Sequence, residues 1–356
     1  MFNRYDTKPI FVGGVQIGGQ SDVVIQSMTS TVTSDIEGTV KQINDLAAAG
    51  CQIVRLAIND FAAADAISQI KQKTNIPLVA DIHFDYRLAL AAIEHGIDKI
   101  RINPGNIGSE EKVKAVVEAC RVKNIPIRIG INSGSIEKEI LQRDGKPTAK
   151  GLVDSALNHI NILENLDYTN ICISLKSSNV PMMIEAYQIM ASIRNYPLHV
   201  GVTEAGTYFS GSIKSAVGIG TVLAQGIGDT IRVSLTGDPV PEIKIAKEIL
   251  KNLEIRNDSP TIISCPTCGR TEIDLVGLVN KVELLLEQID RPLKIAIMGC
   301  VVNGPGEARE ADVGVAGGSG QGIIFRNGEI IRKVKEDQLY VELVKEIEDI
   351  IGKKLV

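Results

Sequence analysis

Cys265-Pro266-Thr267-Cys268 and Cys300 place three thiols in the last third of a 356-residue chain. Two stand at CxxC spacing. Beyond the third, the loop Gly299-Cys300-Val301-Val302-Asn303-Gly304-Pro305-Gly306-Glu307 ends in a carboxylate. Three sulfurs converging on one point form a metal-site pattern. The four histidines, His83, His95, His159 and His199, all lie elsewhere in the chain, so a closed Cys₃His zinc site cannot be built locally. A zinc ribbon needs a second CxxC, which is absent, as is the CxxxCxxC run of radical enzymes. A thioredoxin-like CxxC would have no use for Cys300. What remains is a site whose fourth position is an oxygen ligand or is open. Three thiolates with such a corner suit an iron–sulfur cluster that meets its substrate.

A second set of chemical groups is spread through the first two thirds of the chain. Polar residues recur at or just past the ends of short β-branched runs: Arg55, Asp81 and His83, Arg101 and Asn103, Arg128 and Asn132, Ser174 and Lys176, Thr203 and Glu204, Arg232 and Ser234. Four arginines and a lysine converging on one interior would be costly without an anion to neutralise them. Guanidinium groups grip phosphate oxygens bidentately, and this many cations fit a diphosphate better than a single carboxylate. Pairing within the barrel would be the plain structural alternative, but Asp81 and Glu204 are too few to match the set. Asp81 and His83 are one residue apart and so share a face of an extended segment. Glu204 is a reasonable proton donor or relay.

The elements that must position these groups follow from periodicity. Eight apolar runs, Val23–Met28, Ile53–Ala57, Leu78–Ile82, Lys99–Asn103, Ile127–Ile131, Asn170–Leu175, His199–Val202 and Thr230–Leu235, alternate with segments of helical period such as Val113, Val116, Val117, Cys120. Eight β-then-α units over this length predict an α/β fold, a (β/α)₈ TIM barrel. A doubly wound sheet is the runner-up, but the first run lacks the glycine-rich turn such a fold carries. Residues 1–22, with Gly13-Gly14 and Gly18-Gly19, read as a hairpin or cap. The expected organisation is a substrate-binding barrel over 1–253, a polar linker at 254–259 and a small α+β iron–sulfur domain over 260–356. In the last, a helix is expected over Glu272–Gln288 and strands at Lys294–Met298, Asp312–Ala316, Ile323–Arg326 and Glu329–Lys333. The turn dipeptide Asn327-Gly328 joins the last two strands, and a final helix covers Gln338–Ile351.

Bulk properties narrow the class further. A hydrophobic fraction of 44% with 23% charged residues predicts a full-sized core. A net charge of −5 gives no broad drive toward nucleic acid or an anionic membrane. The N-terminus has no apolar run of a secretory signal, and no stretch is long enough to span a bilayer. Unexported, with six cysteines, the chain is expected in the reducing cytoplasm, where CxxC binds metal or works in redox. Cys51, Cys120 and Cys172 read as core residues.

Taken in order, several blocks resemble one family along essentially the whole chain. They are Val24-Ile25-Gln26-Ser27-Met28-Thr29, Leu78-Val79-Ala80-Asp81-Ile82-His83-Phe84, Lys99-Ile100-Arg101-Ile102-Asn103-Pro104-Gly105-Asn106 and Gly130-Ile131-Asn132-Ser133-Gly134-Ser135. They continue with Ile173-Ser174-Leu175-Lys176-Ser177-Ser178, Gly201-Val202-Thr203-Glu204-Ala205-Gly206, Gly226–Thr236 and the two cysteine segments. The combination resembles the 4-hydroxy-3-methylbut-2-enyl diphosphate synthases of the non-mevalonate isoprenoid pathway, in their shorter bacterial form. The resemblance implies reduction of 2-C-methyl-D-erythritol 2,4-cyclodiphosphate, with ring opening and loss of a hydroxyl as water. It implies a 4Fe–4S cluster held by Cys265, Cys268, Cys300 and Glu307, and diphosphate contacts from Arg55, His83, Arg101, Arg128, Asn132, Lys176 and Arg232. Thr203, Ser234 and Asn303 complete the expected contacts, and Glu204 and Glu307 the expected catalytic pair. A carboxylate holds iron less firmly than thiolate does and can yield its place to a substrate oxygen. The resemblance further implies ferredoxin or flavodoxin as electron donor, and a homodimer in which one chain's cluster domain closes over its partner's barrel. A non-redox iron–sulfur hydro-lyase and a binding protein with an appended metal domain are the competing readings.

Overall fold

The computed structural model describes residues 2–286, 288–300 and 308–355. Asn303 and Glu307 therefore lie outside the described residues. The chain divides into two compact units, Met1–Arg256 and Asn257–Val356. Among the described residues no helix is long and apolar enough to cross a membrane.

The first unit opens with a hairpin, β1 (Ile10–Val12) and β2 (Val15–Ile17), which turns through Gly13 at a φ of 56°. Eight parallel strands follow: β3 (Val24–Met28), β4 (Ile53–Ala57), β5 (Leu78–Asp81), β6 (Lys99–Ile102), β7 (Ile127–Asn132), β8 (Ile171–Lys176), β9 (His199–Val200) and β10 (Thr230–Ile231). Their order is β8-β7-β6-β5-β4-β3-β10-β9, and a parallel bridge from Ile173 to Leu198 brings β9 back to β8. This is the predicted barrel. Its last two strands are shorter than the apolar runs suggested, ending at Val200 and Ile231.

Helices α1 (Ile36–Ala48), α2 (Phe61–Gln72), α3 (Tyr86–Glu94), α4 (Pro104–Ile107), α5 (Glu110–Lys123), α6 (Lys138–Asp144), α7 (Ala149–Asn165), α8 (Val180–Ile193), α9 (Tyr208–Ala224) and α10 (Val240–Asn252) fill the connections. Their starts are written locally. Asp35, Asp60, Asp85, Thr148 and Asn179 each accept a backbone N–H of the first turn, satisfying donors a helix leaves orphaned. Gly50 and Gly96, at φ 101° and 86°, make the left-handed turns out of α1 and α3.

Alternation along the strands sorts the barrel into an apolar exterior and a polar interior. Ile25, Val54, Leu56, Ala80, Ile100, Ile129 and Ile173 are fully buried in the core shared with the helices. The opposite parity faces inward. At the N-terminal end of the barrel those inward positions are apolar: Val24, Ile53, Val79 and Cys172 pack against Ile10, Val12 and Ile17 of the hairpin. The N-terminal cap is thus a plug with its own small core. Nearer the C-terminal end, the same parity carries charge.

In the second unit β11 (Thr261–Ser264), β12 (Lys294–Met298), β13 (Val313–Gly318), β14 (Gln321–Arg326) and β15 (Glu329–Lys335) form one sheet in that order, with α11 (Leu275–Leu286) and α12 (Leu339–Ile351) packed on it. Asn327 and Gly328 both have positive φ, 50° and 80°, as a type I′ hairpin turn requires. Strand β11 was not expected. It runs parallel to β12, and α11 starts three residues later than its apolar pattern suggested.

Candidate active site

Parallel pairing in register turns the sequence-predicted barrel residues to one side of the sheet. Met28 lies opposite Arg55, Asp81 opposite Arg101, Arg101 opposite Arg128, and Asn132 opposite Lys176. Residues opposite one another in a sheet project to the same face. Arg55, Asp81, Arg101, Arg128, Asn132 and Lys176 therefore share the inward parity, Asp81, Asn132 and Lys176 at the strands' C-terminal ends and Arg128 deeper in the barrel.

Asp81 is the hub. Arg101 Nη1 lies 3.2 Å from its Oδ1, Arg55 Nε lies 3.6 Å from its Oδ2, and His83 Nε2 lies 3.7 Å from the same oxygen. Burial alone would raise this carboxyl's pKa, but the Arg55 charge, the His83 hydrogen bond and the Arg101 charge hold it far below the usual carboxylate range. Arg101 also donates to the Gly130 carbonyl at 2.7 Å and meets His83 Nδ1 at 3.3 Å. A Cβ at position 130 would stand 2.7 Å from Arg101 Nε, so glycine there makes room for the guanidinium. Arg55 directs Nε and Nη2 at the Met28 sulfur, 3.0 and 2.9 Å away.

The remaining cations are less well matched. Arg128 is 1% exposed, and its Nε and Nη1 have no hydrogen-bond partner. Burial, with Arg101 adding repulsion, pulls its pKa down to about 10. Lys176 is buried, and its pKa falls well below that of an ordinary lysine through burial and then through Arg128, Arg232, Arg55 and Arg101. Arg232 Nε sits 3.8 Å from Glu242 Oε2, too far for a hydrogen bond. Among the described residues, five cations thus share two buried carboxylates, Asp81 and Glu242, Glu204 being exposed. Their mutual repulsion is a positive potential that a bound anion would relieve.

Other predicted residues lie at the rim. Asn132 and Ser234 are half-buried at or just past their strands, and Thr203, also half-buried, donates its backbone N–H to Ser177 at 3.4 Å. His83 keeps about half of its side chain exposed. Glu204 is exposed and has a φ of 51°, a left-handed conformation that costs a non-glycine residue of order 1 kcal/mol.

Sequence reasoning missed four buried groups. Lys99, Gln26 and His199 form a deeper polar layer, in which Lys99 Nζ donates to Gln26 Oε1 at 3.4 Å. Lys99 is fully buried, which draws its pKa down to about 8. The signal was available, since Lys99 precedes Arg101 by two residues and must share its face. Glu242 is the fourth: it accepts from Ser27 Oγ at 3.0 Å and from Leu235 N–H at 2.9 Å. An acid in the first turn of α10 reads from sequence as a dipole partner, so nothing announced its contact with Ser27 and its place beside Arg232.

In the second unit, Cys265 directly follows β11 and Gly299-Cys300 directly follows β12. Because Ser264 pairs with Ile297, both thiols leave the same end of adjacent strands. The Gly299 N–H donates to Cys265 Sγ at 3.2 Å, which ties the end of the first strand to the start of the loop after the second. Cys268 is exposed, on a turn in which its N–H reaches Thr271 Oγ1 at 3.1 Å and its carbonyl accepts from Thr271 N–H at 3.0 Å. A Cβ at position 299 would stand 2.9 Å from Thr271 Cγ2, so glycine lets the CxxC turn lie against the second strand end. Among the described residues no three His, Cys, Asp or Glu side chains are gathered closely enough to hold a metal. The donor set itself, soft thiols at two neighbouring strand ends, fits an iron–sulfur cluster.

Fold and site together define a class: a TIM-barrel protein with a cation-lined mouth and a separate thiol-bearing unit. Residues 7–247 match the model of the GcpE TIM-barrel domain, and residues 261–349 match that of the GcpE protein C-terminal domain. The chain is 65% identical to a 4-hydroxy-3-methylbut-2-en-1-yl diphosphate synthase (flavodoxin) of Brevibacillus brevis, over 99% of this chain and 98% of that one. It is 64% identical to the enzyme of the same name from Clostridium perfringens, over 98% and 100%. A solved dihydropteroate synthase from Stenotrophomonas maltophilia superposes with a TM-score of 0.50 at 12% identity, covering 70% of this chain and 98% of that one, a likeness of fold alone. The chain belongs to the GcpE family.

Proposed function

We propose that this protein is a 4-hydroxy-3-methylbut-2-en-1-yl diphosphate synthase of the non-mevalonate isoprenoid pathway. It reduces 2-C-methyl-D-erythritol 2,4-cyclodiphosphate: the ring C–O bond to one phosphate breaks, a hydroxyl leaves as water, and a C=C bond forms. Two electrons and two protons enter for each water released. The observation that carries this reading is the excess of five cations over two buried carboxylates among the described residues, of which Arg128 is fully buried with two donor atoms free.

Arg55, Arg101, Arg128, Lys176 and Arg232 bind the diphosphate, and Asn132, Thr203, Ser234 and His83 orient it from the rim, with Asn303 as a further contact. Asp81 holds Arg55 and Arg101 side by side, so that both guanidiniums meet the anion without reorganising. As the ring opens, charge grows on the departing phosphate oxygen, where these fixed cations stabilise it. Glu204, at the mouth in its left-handed conformation, delivers a proton to the departing hydroxyl. Cys265, Cys268, Cys300 and Glu307 would hold a 4Fe–4S cluster, which when bound would supply one-electron chemistry. Flavodoxin as donor follows the names of the relatives, ferredoxin being the other candidate, and the enzyme is taken to be cytoplasmic and a homodimer.

The test is reductant consumption in anaerobic protein. Two electron equivalents consumed per product formed is the expected result. Turnover in the absence of any donor would refute the reading and favour a non-redox hydro-lyase.

A further inference from the structure

One buried histidine lies outside the ring of cations and still touches the two loops that follow the strands of Arg101 and Arg128. His159, on α7, is 4% exposed. Its Nδ1 accepts the backbone N–H of Gly105 at 2.9 Å, and its Nε2 faces Glu137 Oε1 at 3.4 Å. Gly105 lies just past Asn103, on the loop that leaves the strand of Arg101. Glu137 stands at the start of α6, on the loop that leaves the strand of Arg128 and Asn132. The ring therefore bridges two neighbouring βα loops. Gly105 is fitted to it, because a Cβ there would stand 2.5 Å from His159 Cε1.

The contacts also assign the tautomer. Nδ1 accepts, so the proton sits on Nε2 and points at the Glu137 carboxylate. A second proton, on Nδ1, would set two donors face to face and break the Gly105 contact. We propose that His159 is a positioning residue of this enzyme: in its neutral form it holds together the two loops that follow the strands of Arg101 and Arg128, and so fixes the rim, with Asn132, against the diphosphate that those strand-borne guanidiniums grip. The proposal rests on the anion-site reading given above.

Glu137 is the charged side chain that acts on the ring. Elsewhere on α6 and α7, Arg143 is engaged with Asp144 at 2.6 Å and Asp154 at 2.7 Å. Lys138 and Glu139 on α6, Lys150 on α7 and Glu185 on α8 are exposed, Glu164 on α7 is tied to Arg194, α4 carries no charged residue, and Arg128 and Lys176 on the adjacent strands face into the barrel. Burial lowers the His159 pKa and Glu137 acts to raise it, the net direction being down. The bridge is therefore intact at neutral pH and is lost as pH falls through that lowered value, below the ordinary histidine value of about 6.5.

The experiment uses full-length, cluster-loaded enzyme, with KM and kcat for the cyclic diphosphate and inhibition by inorganic pyrophosphate measured across pH. His159→Leu is expected to raise KM and the pyrophosphate inhibition constant about tenfold with little change in kcat. His159→Asn, whose Oδ1 can accept the Gly105 N–H, should recover most of that loss. Glu137→Gln should move the acid limb of kcat/KM to lower pH, since the carboxylate that favours the charged ring is gone. Unchanged KM in His159→Leu, or equal losses in the Leu and Asn variants, would overturn the proposal. Should His159→Leu fail to fold, hydrogen exchange of residues 103–107 in wild-type enzyme decides: extra opening at acid pH supports the bridge, and pH-independent protection refutes it. Wild-type enzyme that pyrophosphate does not inhibit would instead refute the anion site itself.

Discussion

Replacing Arg128 with methionine should make the ligand-free protein more stable and its ligand binding weaker, an opposition that few substitutions produce. Arg128 is 1% exposed, with Nε and Nη1 unpartnered and Arg101 pressing on it with like charge. A buried charge so poorly compensated is a net cost, and exchanging such groups for apolar ones of similar length typically stabilises by about 1–4 kcal/mol. Methionine fills much the same volume and keeps the neighbouring packing. Taking the lower half of that range, ligand-free barrel unfolding should shift upward by roughly 2–10 °C for a unit of this size. The same change removes a charge-assisted contact to phosphate worth about 1.5–3 kcal/mol, so KM should rise about 10- to 150-fold. Thermal unfolding with and without pyrophosphate, alongside steady-state kinetics and iron analysis, measures every part of this. The cluster content should not change, because Arg128 belongs to the barrel unit. A variant that melts earlier and keeps its KM would refute the reasoning, for it would mean that the guanidinium is held by structural partners and serves the fold.

Asp81→Asn tests the opposite case. It leaves Arg55 and Arg101 without their carboxylate, so stability should fall by about 3–5 kcal/mol, and pyrophosphate should stabilise the variant more than it stabilises wild type; equal melting temperatures would count against Asp81 as the hub. The same variant has a pH signature. A carboxyl whose folded pKa is depressed stabilises fully above its unfolded value of about 3.9 and loses that contribution as pH falls through the folded value, so Asp81→Asn should flatten the acid limb of the wild-type stability profile, and an unaltered slope would place the acid sensitivity elsewhere. Cys300→Ala should abolish iron and sulfide binding while pyrophosphate still protects the barrel against heat; retention of both elements at wild-type content would remove Cys300 from the ligand set.

Much of the barrel was legible because each strand states two things at once. Ile127-Arg128-Ile129 is a buried strand by its aliphatic parity and a site element by the residue between. The alternation that points Ile127 and Ile129 at the helices points Arg128 inward. Sequence reasoning stopped at the strand ends, and for that reason Lys99 and His199, one layer deeper on the same parity, went unread. Glu242 was illegible for a different reason: a helix residue that meets the outward-facing Ser27 and the flank of Arg232 leaves no period in the strand pattern. Strand β11 was missed because Thr261–Ser264 is short and half-exposed, and its parallel partner β12 lies across a helix, leaving no local hairpin signal. That strand matters, since its register with β12 is what sets Cys265 beside Gly299-Cys300.

The imbalance of charge at the mouth is itself an argument about what the barrel is for. A protein selected for stability alone would place a carboxylate against Arg128 and another against Lys176, as it has placed Asp81 against Arg55 and Arg101. Doing so would satisfy the resting state and fill the position a phosphate must take. Asp81 and Glu242 instead accept contacts on the flanks, Glu242 with both oxygens engaged by Ser27 and Leu235, so neither is free to swing across and neutralise the centre. The two acids hold cations in place without discharging them. The energy stored in that uncompensated centre is released when the anion arrives, which is why the residues least favourable to the fold are the ones expected to contribute most to binding.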